Sequence, residues 1–143
     1  MKKLIYTLLF ILLFASCSQA ALFKKDAKPE LYLTPYDPRS VNEYNSKIEP
    51  INVFKKGDRI YFSVFTKKGF KSDFIKYQIV RQDDNAHTAG YSRVMNRTVR
   101  VNNKNSYIDY FVINQKGKYF IQIFDIENLQ QWIVMGAFAV FDE

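Results

Sequence analysis

The sequence predicts an all-β domain, a two-layer antiparallel sandwich of about seven to eight strands, and three observations lead to that class. From Ile51 onward short runs alternate apolar with polar residues, the period of a half-buried strand. Clusters of Gly, Asn, Asp and Lys break these runs roughly every 8 to 15 residues, the spacing of antiparallel turns. The aromatic fraction is 17%, made of 13 Phe, 10 Tyr and 1 Trp, and such a load of bulky strand formers argues against disorder. A small closed barrel is the alternative architecture.

Leu31-Tyr32-Leu33 is a first short strand, interrupted at Pro35 and Pro38 because proline cannot donate to a ladder. Residues 34 to 50 read as loop, with a weak helical turn over Val41 to Lys47 and Pro50 as its close. Ile51 to Phe54 is a strand, Lys55-Lys56-Gly57-Asp58 a turn, and Arg59 to Thr66 a strand whose Ile60, Phe62 and Val64 face the core. After Lys67-Lys68-Gly69, Asp73 to Arg81 carries Ile75, Tyr77 and Ile79 on one face. Asp83-Asp84-Asn85 turns the chain into two polar edge strands, Tyr91 to Met95 and Arg97 to Val101.

Beyond Asn102 to Asn105, the run Tyr107 to Ile113 places Ile108, Tyr110 and Val112 together, and Tyr119, Ile121 and Ile123 alternate along the next strand. The last strand runs from Trp132 to Phe141, with Trp132, Val134, Phe138 and Val140 on one parity and Gly136 between them. That glycine permits a bulge or a close approach. Trp132, Tyr61, Phe65, Phe120 and Phe124 are expected to pack in the core, with one sheet face covered by the Pro35 to Pro50 segment; a binding platform for a sugar or a partner side chain is the other use of such aromatics.

Gly117-Lys118-Tyr119-Phe120-Ile121-Gln122-Ile123 resembles the penultimate strand of immunoglobulin-like domains, in which a tyrosine at the strand start anchors a corner. The resemblance implies that Ile121 stands where antibody domains place their second cysteine and that Tyr77 takes the place of the third-strand tryptophan. It covers about residues 50 to 141 and implies a disulfide-free immunoglobulin-like or fibronectin-type module.

The first residues carry a different signal. Met1-Lys2-Lys3 is followed by an apolar run from Leu4 to Phe14, of secretory length and well short of the roughly 20 residues that cross a bilayer. Leu13-Phe14-Ala15-Ser16-Cys17 resembles the lipobox of bacterial lipoproteins, with Phe14 where the usual pattern has Leu. The resemblance implies removal of residues 1 to 16, acylation of Cys17, a lipidated tether over residues 17 to 30, and a domain over residues 31 to 143. More than one acyl chain gives durable anchoring. Cys17 is the single cysteine, so no internal disulfide can form. The alternative is an ordinary signal cleaved near Ala20. Ser18 in place of aspartate favours the outer membrane.

Removal of residues 1 to 16 leaves 127 of the 143 residues, enough for one domain with a conventional core. The formal charge of +7 falls to about +5 without Lys2 and Lys3, a field suited to anionic headgroups, cell-wall polymers or acidic glycans. Paired lysines at 24–25, 55–56 and 67–68 read as solvated turns and protected sheet edges. Nucleic acid is a poor partner for an exported chain.

No catalytic signature accompanies this framework. His87 is the single histidine and stands beside a turn without a Gly-x-Ser-x-Gly elbow. One histidine and one cysteine cannot close a zinc site, and Asp83-Asp84-Asn85 lacks the glycine and distal glutamate of a calcium loop. Asp109 and Asp125 have no motif that would make them a hydrolytic pair. No cofactor is expected, and no ligand-binding residue is legible. The expected function is therefore a non-enzymatic, lipid-anchored bacterial cell-envelope protein whose sandwich contacts a protein or another envelope component through loops or a strand edge. The alternative is a surface adhesin for a host macromolecule or glycan.

Overall fold

Period-2 alternation builds both layers of this protein. The computed structural model describes residues 28–40, 50–83, 90–102 and 104–142. Its strands are β1 (Glu30–Thr34), β2 (Val53–Lys55), β3 (Arg59–Phe65), β4 (Phe74–Gln82), β5 (Tyr91–Arg100), β6 (Ser106–Val112), β7 (Gly117–Asp125) and β8 (Asn128–Phe141). They form a three-stranded sheet, β1-β3-β6, and a five-stranded sheet, β2-β8-β7-β4-β5. The protein is an all-β sandwich.

The two sheets meet through the residues that alternation selects. Ile60, Phe62 and Val64 of β3, Ile75, Tyr77 and Ile79 of β4, and Ile121 and Ile123 of β7 are fully buried. Phe62 meets Tyr77 edge-on with ring centroids 4.9 Å apart, and Tyr119 stacks on Phe138 at 5.4 Å. Tyr77 thus fills the centre of β4 as a bulky aromatic against the opposite sheet. Near the start of β7 the Tyr119 hydroxyl donates to the Gln115 carbonyl at 2.7 Å, which ties the strand to the turn before it.

Four details depart from the sequence expectation. The pair β2 and β8 runs parallel, whereas the other neighbouring pairs are antiparallel. Pro35, Pro38 and Pro50 lack the amide a continuous ladder needs, and between β1 and β2 the chain changes sheets. A single 3-10 turn occupies Pro38–Ser40; the turn expected over Val41 to Lys47 lies outside the described residues.

Second, Tyr91 to Arg100 is one strand rather than two. Ile79 pairs with Met95 and Val80 with Arg93, so Val94 is an extra residue that the ladder absorbs as a bulge. The strand stays at the sheet edge, as expected.

Third, Ile108, Tyr110 and Val112 do share a face, but it is the outer one; Phe111 and Ile113 are buried, and Tyr107 packs against the core. Apolar side chains occupy both parities there, so alternation alone could not choose. Arg59 lies over the outward Tyr110 ring at 5.2 Å.

Fourth, Trp132 is 48% exposed and lies outside the core. Ile123 pairs with Val134 while Phe124 pairs with Trp132. Ile133 is therefore bulged, and Trp132 falls beside Phe124, which is itself buried at 7% exposure. Gly136 supplies close packing rather than that bulge, since a Cβ there would stand 2.7 Å from Leu31 Cδ2.

Candidate functional site

A cleft of about 600 Å³ opens at one end of the sandwich. Strand register defines that end: Glu30 opposes Phe65, and Ile75 opposes Asp125, so the start of β1, the β3–β4 connection and the β7–β8 turn come together. Lys28 and Pro29 line one side, Thr66 to Lys71 another, and Trp132 with Ile133 a third.

The β3–β4 connection is held by main-chain bonds to the segment before β6. Thr66 N–H donates to the Asn105 carbonyl at 2.8 Å, and Phe70 N–H to that of Lys104 at 2.7 Å. Gly69 adopts φ +77°, and a Cβ there would lie 3.2 Å from the Lys104 carbonyl, so both conformation and space require glycine. Phe70 is buried and anchors the loop to the core.

Asp125 fastens the loop to the β7–β8 turn. Its carboxylate accepts the main-chain N–H groups of Lys71 at 3.2 Å, Ser72 at 3.3 Å and Glu127 at 3.1 Å, and the residue is only 6% exposed. Of the two cleft carboxylates, Asp125 and Glu127, the first is therefore engaged by the backbone. Lys28, Lys67, Lys68 and Lys71 line the same space. The Thr66 hydroxyl, on a residue 7% exposed, has no hydrogen-bond partner among the described residues. Four lysines and an open indole suit an anionic group joined to a planar or apolar portion.

The sequence candidates separate in the structure. Cys17, His87, Asp84 and Asn85 lie outside the described residues. Asp83 accepts the Ser92 hydroxyl at 3.0 Å, a turn contact. Asp125 lines the cleft but Asp109 does not; Asp109 instead accepts the hydroxyls of Tyr77 at 3.3 Å and Tyr107 at 3.0 Å. Burial, reinforced by the Asp109 charge, pushes the Tyr77 hydroxyl up to about 12, with Arg97 in opposition. The same causes raise Tyr107 further. Among the described residues no three His, Cys, Asp or Glu side chains gather to hold a metal, and no helix is long and apolar enough to cross a membrane.

The β5 edge is a poor site for strand addition. It carries Arg93, Arg97 and Arg100 and the Val94 bulge, and charge and bulges both oppose pairing with another chain. Lys28 and Lys71 belong to the cleft without having been singled out in the sequence. Lys67-Lys68 was visible there, but only as a turn.

No protein-family model and no curated protein matches the chain. Among solved structures, the soluble domain of PmoD from a Methylocystis species aligns at a TM-score of 0.50 and 12% identity, over 84% of this chain and 95% of that one. An uncharacterized Bacillus anthracis protein aligns at 0.45 and 18% identity, over 65% and 78%. The CARDB domain of a Pyrococcus furiosus protein aligns at 0.40 and 16% identity, over 80% and 94%. The likeness to the PmoD domain shows a shared β-sandwich fold alone.

Proposed function

We propose that this chain is a non-catalytic, lipid-anchored protein of a bacterial cell envelope, the outer membrane in particular, and that its end cleft binds an anionic envelope component. The carrying observation is the convergence of Lys28, Lys67, Lys68, Lys71 and Trp132 from three separate segments on one cleft. The anchor rests on Leu13 to Cys17, and the absence of a catalytic motif in the sequence supports a binding role. Lysines draw the anion in over several ångströms, and the indole gives the rest of the ligand a flat surface.

Trp132 is the single tryptophan, so its emission reports on the cleft directly. Titration with a sulfated oligosaccharide is expected to give a saturable change, which a neutral oligosaccharide of equal length does not. Lys67→Glu with Lys71→Glu should weaken binding at least about tenfold, and salt should weaken it further. A flat response up to millimolar sulfated ligand contradicts the assignment.

The exposed Trp132 beside lysines also suits an acidic sugar of a host surface, which is the adhesin reading. Protease added to intact cells separates the two: an outward-facing adhesin is digested, and a periplasmic protein is spared.

A further inference from the structure

The end of the domain that holds the cleft is also the end at which the chain arrives from Cys17. Lys28 lines the cleft, and β1 begins two residues later. Ten residues lie between Cys17 and Lys28, a reach of at most about 40 Å. On the proposed anchoring, acyl chains in the bilayer therefore hold this end near the headgroups, at an effective concentration on the order of millimolar.

Lys28, Lys67, Lys68 and Lys71 line the cleft together with Asp125 and Glu127, and Asp125 is engaged by three main-chain donors. Trp132 projects there at 48% exposure. Lysine stems that bury their methylenes while the ammonium stays wet, beside an indole, are what a membrane interface accommodates.

We propose that the cleft is a membrane-docking surface: with Cys17 acylated, the domain rests with Lys28, Lys67, Lys68, Lys71 and Trp132 against an anionic phospholipid bilayer. The inference rests on the lipid-anchor reading above and names the cleft's occupant as the headgroups of the protein's own membrane. The far end then points away from the bilayer.

The test reconstitutes the native full-length mature protein in vesicles of phosphatidylcholine alone, or with about one third phosphatidylglycerol. Flotation reports the anchor, and Trp132 emission with quenching by brominated lipid reports the docking. Expected are flotation with both vesicles, and a blue shift with at least about twofold stronger quenching only in the anionic ones, reversed by salt. Lys67→Gln with Lys71→Gln should return emission to its phosphatidylcholine value while flotation persists, and Lys55→Gln at the far end should change neither. Flotation with identical emission in both vesicles overturns the docking and leaves the anchor standing. Failure to float with either overturns the anchor and the docking together.

Discussion

Asp109 binds two phenols and a main-chain amide at once: Tyr77, Tyr107 and the Tyr110 N–H at 2.8 Å. Because Tyr77 sits on β4 and Asp109 on β6, this carboxylate ties one sheet to the other. Its consequence for pH follows from sign. Burial holds the Tyr77 hydroxyl at about 12 in the folded protein, above the roughly 10 of an unfolded tyrosine. The unfolded chain therefore gives up that proton first. The stabilisation is full below pH about 10 and is lost as pH rises through about 12. Stability should stay level from neutral pH to about 10 and then fall, with a shallower fall in Tyr77→Phe, measured by urea unfolding across the pH series. A Tyr77→Phe curve as steep as wild type would remove Tyr77 from this role.

At the scale of elements, Gly136 shows how close the layers lie. Alanine there would place its Cβ 2.7 Å from Leu31 Cδ2, so the leucine on β1 must move, at a cost of about 1–3 kcal/mol. Gly136→Ala should cost clearly less in a Leu31→Ala background, because the two positions share one space. Equal costs in both backgrounds, measured by chemical denaturation, would place the strain elsewhere. β3, β4 and β7 were legible because each buries one parity and wets the other. β5 and β8 were less so: a bulge at Val94 and another at Ile133 each reverse the parity of everything beyond them. Such an extra residue leaves no mark in a sequence whose aromatics already occupy both faces. Trp132 was displaced from the expected core for this reason.

For the whole molecule, the cleft was illegible because its lysines come from residue 28 and from residues 67 to 71, and only strand register brings those segments to one end. A lysine pair beside a glycine reads as a turn in isolation. It is one, and it is also part of a charged mouth. The anchor is the reverse case: it is a local signal, read from residues 4 to 17, and it gives the cleft its proposed meaning by setting which way the domain faces. A domain with a lysine-lined, indole-bearing end and its lipid attachment beside that end would be oriented by the membrane as well as held to it.

That account stands on Cys17. Intact mass of the protein taken from its native membrane, wild type beside Cys17→Ala, tests it most directly. The expected wild-type chain has lost residues 1 to 16 and carries acyl mass on Cys17, with the acyl mass missing from the variant. A mature chain without acyl mass, starting near Ala20, would contradict it and make the domain a diffusible binding module with no preferred face toward a bilayer.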